Sequence, residues 1–305
     1  MIKAIDNITQ WIGNTPLLRL RSLSESCEVY AKCEFLNPIS IKDRVVWHII
    51  CMAEEKGLIG PGSTLIESTS GNTGMALAYI AAIKGYRAIL VMSEIQSLER
   101  RQIMAAFGAE LVLTPADEGT AGAIKRMKEI LAEHPDYFYV GQHYNPDNPE
   151  AHYLTTGPEI WRDTAGRIDY FVTGLGTGGT ISGIARYLKE QKPEVKIIGI
   201  EPEEAPFVSQ GIYQPHRLMG LAPGFLPGTL DKDLIDDYEL INQTDAFTMC
   251  RRLARTDGIL VGISSGAVAC AMERLARRVP TGSVVVGIFA DTGQRYLSVE
   301  DLFGV

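Results

Sequence analysis

Apolar runs of strand length alternate along the chain with stretches whose apolar positions recur at helical spacing. The pattern predicts strands at 28–35, 65–67, 87–92, 110–114, 137–140, 170–173, 196–201 and 283–289. It predicts helices at 43–56, 72–84, 98–107, 121–132, 149–163, 180–191, 246–255 and 266–277. Repeated strand–helix units of this kind build mainly parallel sheets with helices on both faces. The expected fold class is therefore α/β, with three-layer architecture. No repeat of solenoid period and no low-complexity segment interrupts the pattern. The least regular stretch, 203–233, is rich in Pro, Gly and polar residues. A loop that long inside a compact domain is usually functional.

Composition sets the outer bounds. A chain of 305 residues forms one large or two medium domains, and 46% hydrophobic with 22% charged residues is globular. A net charge of −8 argues against nucleic acid or an anionic membrane as partner. Cys27, Cys33, Cys51, Cys250 and Cys270 offer neither a disulfide framework nor a zinc pattern. His48, His134, His143, His152 and His216 lack ligand spacing, so no metal is expected. The start, Met1-Ile2-Lys3-Ala4-Ile5-Asp6, has no secretory apolar region, and no stretch is long and apolar enough to span a bilayer. A reducing cytoplasm is the expected setting.

Four short motifs carry candidate chemistry. Lys42 in Asn37-Pro38-Ile39-Ser40-Ile41-Lys42-Asp43-Arg44 lies where a helix begins. A lysine there is ordinarily solvated, but the helix field disfavours its charge, which with partial burial favours a nucleophilic amine. Thr69-Ser70-Gly71-Asn72-Thr73-Gly74 opens the next helix; it can be a plain cap or a set of N–H and hydroxyl donors for a carboxylate. Gly174-Leu175-Gly176-Thr177-Gly178-Gly179-Thr180 joins a strand to a helix, as a phosphate loop does. It also reads as a dinucleotide fingerprint, with Glu201 ending the next strand. That reading leaves Lys42, Asn72 and Ser264 without a role, whereas a single-phosphate aldehyde cofactor uses each. The fourth motif is Gly262-Ile263-Ser264-Ser265-Gly266, again at a helix start.

As an ordered set, these motifs resemble the signatures of the cysteine synthase / cystathionine β-synthase family, closest in pattern to the cysteine synthase B-like members. The likeness runs from Gly13-Asn14-Thr15-Pro16 to Arg295-Tyr296-Leu297-Ser298. It implies pyridoxal 5′-phosphate (PLP) fold type II, tryptophan synthase β-like, with two α/β domains: a smaller one at 35–142 and a larger one from 1–34 and 143–305. It implies Lys42 as the Schiff-base lysine and catalytic residue. Asn72 would bond the cofactor's ring oxygen, Gly176, Thr177, Gly178, Gly179 and Thr180 would hold its phosphate, and Ser264 would face its ring nitrogen. Thr69, Ser70, Gly71, Thr73 and Gln142 would bind the substrate carboxylate.

A neutral hydroxyl at Ser264 does not favour the protonated ring nitrogen, and so suits loss of a β-substituent. The implied activity forms L-cysteine from O-acetylserine, or another activated serine, and sulfide by β-replacement through an α-aminoacrylate. One alternative is a cystathionine β-synthase-like condensation with homocysteine, for which His216 and Arg217 are the candidate basic pair. Another is a PLP-retaining regulatory or binding protein. A homodimer and a serine acetyltransferase partner are family expectations. The chain departs from the family at Pro38-Ile39, where many relatives carry glycine, and carries Ala290-Asp291-Thr292-Gly293 near its end.

Overall fold

The computed structural model describes residues 4–303. Met1–Lys3 and 304–305, which the expected larger domain and the expected non-secretory start include, lie outside the described residues. In chain order the elements open with β1 (Leu17–Arg19), β2 (Glu28–Cys33), α1 (Lys42–Glu55), β3 (Thr64–Ser68) and α2 (Asn72–Lys84). Next come β4 (Arg87–Ser93), α3 (Leu98–Ala106), β5 (Glu110–Thr114), α4 (Gly119–Glu133) and β6 (Phe138–Tyr139). After them are α5 (Asp147–Ala151), a π-helical turn (His152–Thr156) and α6 (Gly157–Asp163). The remainder is β7 (Tyr170–Gly174), α7 (Gly179–Gln191), β8 (Lys196–Pro202), α8 (Phe207–Gln210), β9 (Asp237–Ile241), α9 (Gln243–Thr256), α10 (Ile263–Ala276) and β10 (Val284–Phe289).

The chain forms two compact units. The first comprises residues up to Ile12 with Pro38–Asp147, the second Gly13–Asn37 and the chain from Asn148 onward. In the first unit a four-stranded sheet runs β5-β4-β3-β6, all parallel. Its helix α2 is apolar almost all round and is buried from Thr73 to Ala81, because it packs against both α1 and α3. In the second unit a six-stranded sheet runs β1-β2-β10-β7-β8-β9, parallel except for β1. Its central β10, Val-Val-Val-Gly-Ile-Phe, is buried on both faces, as an inner parallel strand must be. Among the described residues no helix is long and apolar enough to cross a membrane.

The α/β class with mainly parallel sheets matches the hydrophobic pattern. Two strands, β1 and β9, were not expected. Both are edge strands, paired on one side only, and β1 has just three residues, too few to show a period. The single helix expected at 149–163 is three pieces with a π-helical middle.

Candidate active site

In the first unit, α1 begins at Lys42, whose backbone N–H donates to Ser40 Oγ at 3.1 Å. The turn before it is held from inside the helix: buried Asp43 Oδ2 accepts Ile39 N–H at 2.7 Å and Ser40 N–H at 3.1 Å. Ile39 itself is buried in this unit's core beside Val45, Val46 and Ile49. The unusual β-branched residue is therefore a packing anchor for the lysine's turn, which a sequence motif does not reveal. His143 lies close enough to Lys42 to feel its charge; burial first, and the Lys42 ammonium second, push the imidazole down to about 4. The ring is neutral near pH 7.

The turn Thr69–Gly71 joins β3 to α2, with Gly71 as N-cap and Asn72 as first helical residue. Gly71 N–H donates to Thr69 Oγ1 at 3.3 Å, and Ser70 is half-buried beside it. Buried Thr73 donates its hydroxyl to Gln142 Oε1 at 2.6 Å. Thus Thr69, Ser70, Gly71, Asn72, Thr73 and Gln142 are gathered at the carboxyl ends of β3 and β6. Glu67, absent from the sequence reading, reaches the same place: it is 1% exposed and accepts from Ser68 and Gln142 N–H.

In the second unit, the loop after β7 enters α7 through Gly178, whose φ of +87° is the left-handed conformation that glycine adopts without strain. At Gly176 a Cβ would run into the Gly220 carbonyl oxygen. Among the described residues, the backbone N–H groups from Gly176 to Ile181 have no acceptor. Thr177 Oγ1 accepts from Asn148 Nδ2 at 3.1 Å, and Thr180 Oγ1 bonds His152 Nε2 at 3.2 Å. A run of open N–H groups with two fixed hydroxyls at a helix start is the donor set a phosphate monoester requires. The residues present fit that group. A dinucleotide fits less well, because the Glu201 carboxylate is already used: it accepts from Val208 N–H at 2.6 Å and Ser209 N–H at 3.0 Å, opening α8.

Ser264 is the second residue of α10, half-buried, behind N-cap Gly262. Gly262 N–H donates to the Asp291 carbonyl at 3.0 Å, and Ala290 N–H to Ser265 Oγ at 3.0 Å. The fold therefore seats Asp291 against the start of α10, with its carboxylate accepting the Tyr296 hydroxyl at 2.6 Å. The basic pair at 216–217 is engaged in holding its own loop. Arg217 donates to the Glu300 carbonyl at 2.7 Å and lies over Phe247, and His216 Nε2 is 3.3 Å from the Ala222 carbonyl.

Residues 8–291 match the family of pyridoxal-phosphate dependent enzymes. A cysteine synthase of Staphylococcus aureus is 47% identical over 300 residues, 97% of this chain and 96% of that protein. Among solved structures, O-ureido-L-serine synthase superposes with a TM-score of 0.96 at 42% identity, covering 99% of this chain and 96% of that one. Cysteine synthase from Entamoeba histolytica does so with a TM-score of 0.95 at 40% identity, covering 98% and 91%. The chain belongs to the pyridoxal-phosphate dependent enzymes of fold type II, and within them to the cysteine synthase family. Its cofactor is PLP and its substrates are small molecules.

Proposed function

We propose that the enzyme makes L-cysteine by replacing the β-substituent of an activated serine, O-acetylserine, with sulfide. The observation that carries this reading is the likeness to a cysteine synthase at 47% identity over 97% of the chain. In support, each of Lys42, Thr69, Ser70, Gly71, Asn72, Thr73, Gln142, Gly176–Thr180 and Ser264 occupies a strand end or helix start of its own unit.

In this reading Lys42 is the lysine that holds the cofactor's aldehyde, and the Gly176, Thr177, Gly178, Gly179 and Thr180 loop seats its phosphate. Asn72 would bond its ring oxygen and Ser264 its ring nitrogen. When bound, PLP supplies the electron sink that loosens the α-proton and β-substituent of an amino acid. Lys42 Nζ would take the α-proton and later return it. The Lys42 amine is suited to this by its place at a helix N-terminus, where a positive charge is disfavoured. Thr69, Ser70, Gly71, Thr73 and Gln142 receive the substrate carboxylate on N–H, hydroxyl and amide donors. Donation from Thr73 to Gln142 Oε1 fixes the orientation of the Gln142 amide.

The engagement of Arg217 with Glu300 and Phe247 favours sulfide over homocysteine, whose amine and carboxylate need partners of their own. The test compares kcat/KM for sulfide and homocysteine in wild type and Arg217→Ala. Sulfide use with the ratio unchanged in the variant is expected. A homocysteine preference that collapses in Arg217→Ala would overturn the reading. A homodimer, a serine acetyltransferase partner and a cytoplasmic setting belong to the same proposal, on the family resemblance; light scattering with and without the acetyltransferase tests the first two.

A further inference from the structure

Glu67 is a carboxylate on an inner strand of the first unit's sheet, at a position paired in register with the buried Leu90. Nothing in the proposed chemistry uses it. Its surroundings explain it. The pairing of β3 with β6 runs to Ile66 and Tyr139, and Val140 N–H donates to the Ile66 carbonyl at 3.2 Å. Beyond that point the two chains part. Thr69 N–H still reaches β4, donating to Val91 O at 3.1 Å. Successive strand N–H groups alternate sides, so Ser68 N–H faces the side that β6 has vacated.

Glu67 fills the gap. Its Oε1 accepts Ser68 N–H at 2.9 Å and its Oε2 accepts Gln142 N–H at 3.1 Å. The nearby Gly141 N–H also favours the charged form of this carboxyl. Gln142 in turn accepts the Thr73 hydroxyl at 2.6 Å. The result is a closed ring running from Glu67 through Gln142 and Thr73 and back along the chain through Asn72, Gly71, Ser70, Thr69 and Ser68. An acceptor-only group is required where several N–H donors converge. A glutamine would set its own NH₂ against one of them.

We propose that Glu67 is the positioning residue of the amino-acid carboxylate site, its side chain fixing Gln142 and the Ser68–Thr73 turn as one donor set. This rests on the reading that the turn and Gln142 receive the substrate carboxylate. The experiment uses purified Glu67→Gln holoenzyme at pH 8, above the range near 7 to which burial lifts this carboxyl. KM for O-acetylserine, kcat, KM for sulfide and PLP retention are read beside Gln142→Ala and Thr73→Val. We expect KM for O-acetylserine to rise about tenfold, the loss of one charge-assisted hydrogen bond, with PLP retention and sulfide KM unchanged. Glu67→Asp, which keeps the charge but shortens the reach, replaces it if the glutamine protein does not fold, with the same signature expected. An unchanged KM in the Glu67 variant while Gln142→Ala or Thr73→Val raises it would overturn the positioning role alone. Loss of PLP or of thermal stability without a KM change would reduce Glu67 to a structural residue and overturn it too. No KM change in any of the variants would overturn the carboxylate-site reading beneath it.

Discussion

Asp43 holds Ile39: its Oδ2 accepts the Ile39 N–H at 2.7 Å, and the Ser40 N–H at 3.1 Å. Both residues precede Lys42, so one carboxylate closes the turn that delivers the lysine to its helix start. Asp43→Ala would leave two buried N–H groups without that acceptor, at ~1–3 kcal/mol each. The urea midpoint should fall accordingly and turnover should fall with it. Unchanged stability would show that the core packing of Ile39 alone holds the turn.

Lys42→Ala should abolish turnover and leave the fold intact, because alanine is the best helix former and α1 is held by its apolar face. Borohydride reduction of the wild-type holoenzyme should fix the cofactor on the Lys42 peptide. Recovery on another lysine would displace Lys42 from its role.

Gly178→Ala tests the phosphate loop. A φ of +87° costs a side-chain residue ~1–2 kcal/mol, and the new Cβ would press on Leu230. The N–H groups that follow would be displaced. PLP affinity, measured by titrating the apoenzyme, should drop at least tenfold, with a smaller change in secondary structure. Normal PLP binding in a folded variant would place the phosphate elsewhere.

Glu67 should leave a signature in stability against pH. Burial lifts its carboxyl from 4.5 to about 7 in the folded protein. Between those values the folded state binds more protons than the unfolded one, so stability falls as pH rises. The contribution is fully present below 4.5 and is lost by about pH 7, with an upper bound of ~3 kcal/mol. Glu67→Gln lacks this titration. The Tm of the variant minus that of wild type should therefore increase from pH 5 to pH 8. A difference that is flat or falls with pH would mean that Glu67 is ionised throughout.

The sequence alone determined the alternation of strands and helices, because buried parallel strands and amphipathic helices each leave a period in the apolar positions. It also placed helix starts at the motifs that hold Lys42, Asn72, Gly174–Thr180 and Gly262–Gly266, since turn and cap chemistry is local. What only the tertiary structure decided is how distant residues serve those starts. Thr73 and Gln142 are 69 residues apart and share a hydrogen bond. Glu67 looks like an ordinary polar strand residue until the divergence of β3 and β6 gives it N–H groups to accept. Ile39 looked like a disturbance beside the lysine and is a core residue. Glu201 reads as the end of a strand, and only the packed structure shows its carboxylate opening a helix. Edge strands β1 and β9 escaped because a strand paired on one side carries a weak apolar signature. Local backbone preferences are written in neighbouring residues, whereas the pairing of buried polar groups depends on which segments the packed core brings together.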